Sequence, residues 1–160
     1  MDKPEIRKQI GRILKEHKEC FASESKRICK NIIESVEYKN ASTILAYMAL
    51  PDEVDLSSVI QQALKDCKTV FLPHVYPDTN KMDFFQFTDT TSVVEGAFGI
   101  KEPLFTNDTP RFLPDTSDSP AAETLVLVPG RAFTKEGHRL GRGKGFYDLY
   151  LEPYKNAPKI

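Results

Sequence analysis

The chain has 160 residues, with 22 Lys and Arg against 23 Asp and Glu and a formal charge of −1. That length suits one domain with its own core, and the near-neutral balance argues against a nucleic-acid binder that relies on bulk positive charge. No apolar run approaches a membrane span and the opening MDKPEIRKQI is too polar for a signal peptide, so a cytoplasmic protein that engages neither membrane nor nucleic acid is expected.

Residues 4–19 carry Ile6, Ile10, Ile13 and Leu14 at three- and four-residue spacing, which predicts a first helix. Lys3 and Arg7 are four apart and share one face of it; on spacing alone they are ordinary surface charges. A second helix is expected over 23–36, with Ser23 as its cap and Ile28, Ile32, Ile33 and Val36 as its apolar stripe. Residues 43–50 form a β-rich run, read as the first strand; Met48 lies in it and Glu53 just beyond. Residues 55–65 read as a helix, and 69–73 and 82–87 as further strands, with Phe84, Phe85 and Phe87 as core and pocket lining.

Strand, helix, strand with a helix of this length predicts parallel pairing and a right-handed crossover. Ligands bind such sheets at the carboxyl ends of the strands, where Glu53, His74 and the loop after Val128 are expected. Residues 106–123, rich in Pro, Ser, Thr and Asp, read as a loop inside the domain. Cys20, Cys29 and Cys67 fit neither a zinc site nor a disulfide framework and read as free thiols.

The richest stretch is 124–151. Leu125 to Val128 is an apolar run ended by Pro129-Gly130, the pattern of a strand covered on both faces. Gly141, Gly143 and Gly145 then alternate with Arg142 and Lys144, and residues 146–151 read as the first turns of a helix. Between 131 and 144 stand Arg131, Lys135, Arg139, Arg142 and Lys144 against one acid, Glu136. Glycines let a backbone approach an anion closely, so the expected ligand is a phosphate chain. The spacing is neither GxGxxG nor GxxxxGK[ST]; taken alone it is a weak signal, with a flexible basic surface loop as its rival.

Pro129-Gly130-x-Ala132-Phe133 followed by Gly137-x-Arg139-Leu140-Gly141-Arg142-Gly143-Lys144-Gly145-Phe146-Tyr147-Asp148 closely resembles the signature of the 5-formyltetrahydrofolate cyclo-ligases, also called methenyltetrahydrofolate synthetases. Lys3-x-x-x-Arg7, Met48-x-x-x-x-Glu53 and Phe98-Gly99-Ile100-x-Glu102-Pro103 extend the resemblance over nearly the whole chain. It implies a single α/β domain over 1–160, a three-layer sandwich with a mainly parallel, Rossmann-like sheet. It implies an ATP-dependent conversion of 5-formyltetrahydrofolate, polyglutamylated or not, to 5,10-methenyltetrahydrofolate with release of ADP and phosphate.

Arg142 and Lys144, each set between two glycines, are the expected catalytic contacts to the γ-phosphate and its transition-state charge. The resemblance implies the binding residues. Lys3, Arg7 and the stretch Arg139, Leu140, Gly141, Arg142, Gly143, Lys144, Gly145, Phe146, Tyr147 would hold ATP. Met48, Glu53 and Arg142 to Phe146 would meet the folate. Asp148 reads either as a ligand of Mg²⁺ on the phosphates or as an acid at a helix N-terminus, and Tyr147 as a stacking wall or as core. Family members carry a further strand and a second acidic residue beyond the point where this sequence ends, and that segment is expected to be lacking here. Phe146 replaces the more usual tyrosine. A monomer is expected. The competing readings are a non-catalytic nucleotide- or folate-binding homologue and a nucleic-acid module built on the basic loop.

Overall fold

The computed structural model describes residues 2–76, 78–79, 81–95, 101–113 and 123–152. Phe98, Gly99 and Ile100 of the resemblance, the middle of the 106–123 loop and residues 153–160 lie outside them.

Helix α1 (Lys3–Glu16) begins at a capping box: Asp2 accepts from the Glu5 amide, Glu5 accepts from the Asp2 amide, and Pro4 sits in the first turn. None of its residues is buried, so it lies on the surface of the body. Helix α2 (Phe21–Glu34) follows a single 3-10 turn over Lys18–Cys20. That turn already sets helical backbone, so Ser23 is not the expected cap; it lies inside the helix and its hydroxyl donates to the Cys20 carbonyl. Ser35 is a cap instead, accepting from the Tyr38 amide at the start of α3 (Val36–Asn40). The expected helix over 23–36 thus ends at Glu34, and α3 is a further short helix set off from it by an extended serine.

Strand β1 (Thr43–Leu45) is shorter than the expected 43–50. The Ala46 amide still donates to the Phe71 carbonyl at 3.0 Å, after which the chain leaves the ladder for a turn in which the Glu53 amide donates to the Leu50 carbonyl, also at 3.0 Å. Pro51 follows Leu50 in that turn, where its fixed φ is favourable. Helix α4 (Ser57–Lys65) leads to β2 (Thr69–Tyr76), which hairpins onto β3 (Lys81–Phe87). A ribbon of β4 (Val93–Glu95) and β5 (Lys101–Pro103) precedes β6 (Thr124–Val126). A second ribbon, β7 (Ala132–Phe133) with β8 (Arg139–Leu140), leads to α5 (Phe146–Tyr150).

The main sheet runs β3-β2-β1-β6. β1 is parallel to β2, as the α4 crossover predicts, and also to β6, and β3 is an antiparallel edge. This is an α/β fold with a mostly parallel sheet. Successive residues divide between two cores, as a strand buried on both faces requires. Ile44, Val70, Leu72, Leu125 and Leu127 pack with Cys29, Ile32, Val59 and Ala63 of α2 and α4. Leu45, Val126, Met82 and Phe84 pack with Phe146, Tyr147 and Tyr150 of the α5 segment. Each fully buried aliphatic or aromatic side chain contributes about 1.5–3 kcal/mol.

Candidate active site

A cavity of about 400 Å³ opens where the chain leaves β1 and β6. Five separate stretches of the chain line it, among them Pro73 and Val75 of β2 and Pro129-Gly130. α1 supplies Lys3 and Arg7, and the connection after β1 supplies Tyr47, Met48 and Glu53. β8 supplies Arg139 and Leu140. Gly141 to Gly145 form its rim, and α5 closes it with Phe146, Tyr147 and Asp148. The residues expected to hold ATP, folate or Mg²⁺ therefore border one space.

The loop owes its shape to its glycines and to Arg7. The Arg7 Nε donates to the Gly141 carbonyl at 2.9 Å. At Gly143 the backbone has φ +100°, and an added Cβ would stand 3.2 Å from Cζ of Arg7. Arg139 fastens the other side: its Nη1 donates to the Pro129 carbonyl at 2.8 Å and its Nη2 pairs with Asp148. Arg142 is held by two carboxylates, with its Nη2 on Asp52 and its Nε on Glu53 at 3.0 Å. Desolvation would lower the Arg142 pKa, but the hydrogen bond to Glu53 and the charge of Asp52 outweigh it, and the net shift is upward. Lys3 and Lys144 form no ion pair among the described residues.

Glu53 is the most enclosed acid of the group, its side chain 8% exposed. One oxygen takes Arg142 and the other accepts from the Leu50 amide at 3.0 Å. Burial, then the charge of Glu53, pushes the phenols of Tyr47 and Tyr147 far above the ordinary tyrosine range, with Arg139 opposing at Tyr147. Both remain neutral hydroxyls. The Tyr147 hydroxyl is buried and has no hydrogen-bond partner among the described residues. A buried donor without a partner is costly, and one lining a cavity is suited to a polar ligand.

The structure corrects three expectations. His74 does not join the cavity. On β2, Pro73 and Val75 line that space, while His74 points to the other face and lines a groove with Tyr76, Phe85 and Phe105. The β6 segment is not joined to the glycine loop by a plain loop but through the β7–β8 ribbon, which hangs on the Arg131 amide donating to the Leu140 carbonyl at 2.9 Å. The helix after the loop is only five residues long and its N-cap, Gly145, is left-handed at φ +74°, so a long helix dipole is not what this loop offers an anion. Asp52 and Tyr47 escaped the sequence reading; the only signal was their position beside Met48 and Glu53.

The pattern of the 5-formyltetrahydrofolate cyclo-ligase family matches residues 1–159. This chain belongs to that family. Among curated relatives, the probable 5-formyltetrahydrofolate cyclo-ligase of Schizosaccharomyces pombe is 35% identical over 136 residues, 84% of this chain. The chain spans 63% of that protein's length. The solved 5,10-methenyltetrahydrofolate synthetase of Aquifex aeolicus is similar with a TM-score of 0.70 at 30% identity, covering 99% of this chain and 76% of that one. The synthetase of Mycoplasma pneumoniae gives a TM-score of 0.66 at 25% identity, covering 99% of this chain and 82% of that one. In this cyclo-ligase-family chain the long C-terminal signature runs through the β7–β8 ribbon, the glycine rim and α5, and β8, the rim and α5 make one wall of the cavity.

Proposed function

We propose that this protein catalyses the ATP-dependent closure of 5-formyltetrahydrofolate to 5,10-methenyltetrahydrofolate, with release of ADP and phosphate. The observation that carries this reading is that a basic glycine rim and a separate wall of Met48, Tyr47 and Glu53 face one space, which suits two substrates that must react with each other. Five cationic side chains border it against two carboxylates, Glu53 and Asp148.

A formamide carbon is a weak electrophile and its oxygen a poor leaving group. The formyl oxygen attacks the γ-phosphorus and the bond to ADP breaks. N10 then attacks the formyl carbon, loses its proton, and the carbon–oxygen bond breaks to release phosphate. Such transfers ask the protein for positioning and for charge where charge develops. Lys144 is exposed and unpaired among the described residues, so its ammonium is available to the γ-phosphate. Arg142 presents the edge of its guanidinium that the carboxylates leave open. The backbone amides of Gly141 to Gly145 take phosphate oxygens, with Lys3 and Arg7 on the same chain from α1. Met48 and Glu53 receive the folate, Glu53 accepting from its N–H groups, and the Tyr147 hydroxyl finds its partner in a bound substrate.

Asp148 keeps one oxygen outside its pair with Arg139 and has a side chain 74% exposed. A lone carboxylate of this kind fits Mg²⁺, which takes most of its ligands from phosphate oxygens and water. When bound it would neutralise phosphate charge. We place the reaction in the cytoplasm and assign it to a monomer; the three free thiols fit a reducing compartment. Among the described residues no helix is long and apolar enough to cross a membrane.

The test is an absorbance assay for the methenyl product with 5-formyltetrahydrofolate, with and without ATP and Mg²⁺. Product that requires ATP supports the proposal. A chain that binds ATP and folate but forms no product refutes it.

A further inference from the structure

Lys3, Arg7 and Gly11 follow one another at four-residue intervals along α1. Gly11 faces Arg131: an added Cβ would stand 3.2 Å from the Nη2 of that arginine. A glycine in a helix interior costs about 1 kcal/mol against alanine, and here the space it leaves is taken by a guanidinium. Arg131 is mostly buried, its side chain 20% exposed, and its Nη2 lies 3.1 Å from Oδ2 of Asp52. The other oxygen of the same carboxylate takes Nη2 of Arg142, whose Nε donates to Glu53. Asp52 itself is fixed in the Leu50–Glu53 turn, between Pro51 and the residue whose amide closes it. One carboxylate thus ties the α1 surface, the start of the β7–β8 ribbon and the glycine rim together, across 79 and 90 residues of sequence.

We propose that Asp52 is a positioning residue of the cavity: its carboxylate, shared between Arg131 and Arg142, sets the Arg142 guanidinium against Glu53. The inference takes its functional meaning from the reaction proposed above. Asp52 takes Nη2 and Glu53 takes Nε along one edge of Arg142, which leaves the Nη1 hydrogens for an anion. Without Asp52, Arg142 keeps a single partner on a rim that is otherwise exposed, and a long side chain regains its rotamers.

The test uses Asp52→Asn, Arg131→Met and the double variant in the full chain. The ¹⁵N–¹H signal of the Arg142 Nε, identified by its loss in Arg142→Lys, reports the pairing without any need for turnover. In the wild type it is sharp; in Asp52→Asn it shifts and broadens, and in Arg131→Met it does so less. kcat/KM for ATP falls about fivefold to tenfold in Asp52→Asn. The double variant falls no further, because both changes remove one link. A purely structural role would lower the thermal midpoint and leave the Nε signal of the folded fraction in place. An unaltered signal in Asp52→Asn overturns the proposal, as does wild-type kcat/KM for ATP in Asp52→Asn beside an impaired Arg142→Lys. A wild type that forms no methenyl product refutes the proposed reaction instead, and the Nε signal still decides whether Asp52 holds Arg142.

Discussion

Replacing Gly143 by alanine separates two effects that meet at one backbone position. The first is conformational. At φ +100° an L-residue is strained, at a cost of about 1–2 kcal/mol for a left-handed backbone. In a domain of this size each kcal/mol lowers the thermal midpoint by about 2–4 °C, so a fall of about 2–8 °C is expected. The second is local. The new Cβ would lie 3.2 Å from Cζ of Arg7 and 3.4 Å from its two terminal nitrogens, so Arg7 must withdraw and its 2.9 Å bond to the Gly141 carbonyl is strained or lost. Gly137→Ala is the control. Gly137 has φ +85° with nothing within 4 Å of an added Cβ, and it lies in the β7–β8 turn away from the cavity. Calorimetry should therefore give similar losses for both variants. The methenyl assay at varied ATP should show a raised KM for Gly143→Ala alone. If the two variants are indistinguishable in both measurements, Arg7 does not hold the glycine rim and the reasoning fails.

Three further outcomes are expected. Lys144→Ala should leave the thermal midpoint near that of the wild type, since the side chain is exposed and forms no ion pair among the described residues, while kcat falls about 10²–10³-fold as for loss of one transition-state donor; an unchanged kcat would remove Lys144 from the mechanism. Phe84→Ala should cost about 3–5 kcal/mol in urea unfolding, because Phe84 is 0% exposed with the Tyr150 ring centred 5.0 Å away. Asp66 carries hydrogen bonds first from Tyr38 and then from Gln62, which hold its carboxyl below its ordinary value of 3.8. The folded chain therefore binds this proton more weakly than the unfolded one, and the stabilisation is present above the ordinary carboxylate range and disappears as pH falls through the lowered value. Asp66→Asn should melt below the wild type at neutral pH, with the gap closing in acid; a gap that stays constant would show that charge has no part in it.

The parallel sheet was legible because its signals are local and periodic. The β-rich run after Ser42, the apolar stripe of α4 and the run after Glu123 each determine an element, and α4 between β1 and β2 determines their parallel pairing. The glycine rim was legible for a different reason: three glycines in five residues disfavour a regular helix or strand, and the apolar strand run before them and the helical run after them favour a close-approach loop over a merely flexible one. Ser23 misled because a serine before an apolar stripe is a cap only when the preceding backbone is extended, and the turn at 18–20 had already made it helical. His74 misled because placement near a strand end does not fix the face. β2 runs three residues past the expected end at Pro73, so His74 stands inside the strand and the pleat sends it to the face opposite Pro73 and Val75.

What linear reading hides most is where charge ends up. Along the sequence the stretch 131–144 counts five cations to one acid and resembles a bare phosphate magnet. In space its arginines are already partnered: Arg131 and Arg142 with Asp52, Arg142 with Glu53, and Arg139 with Asp148. Two of those acids come from the connection after β1, far back in the chain, so no window over the basic segment contains them. The field offered to an anion is then set less by total charge than by which N–H edges the carboxylates leave open and by the ammonium of Lys144, which forms no ion pair among the described residues. Such a site discriminates by geometry. It should also respond to salt less steeply than a surface with five free cations, because ions in solution compete only for charges that are not already neutralised.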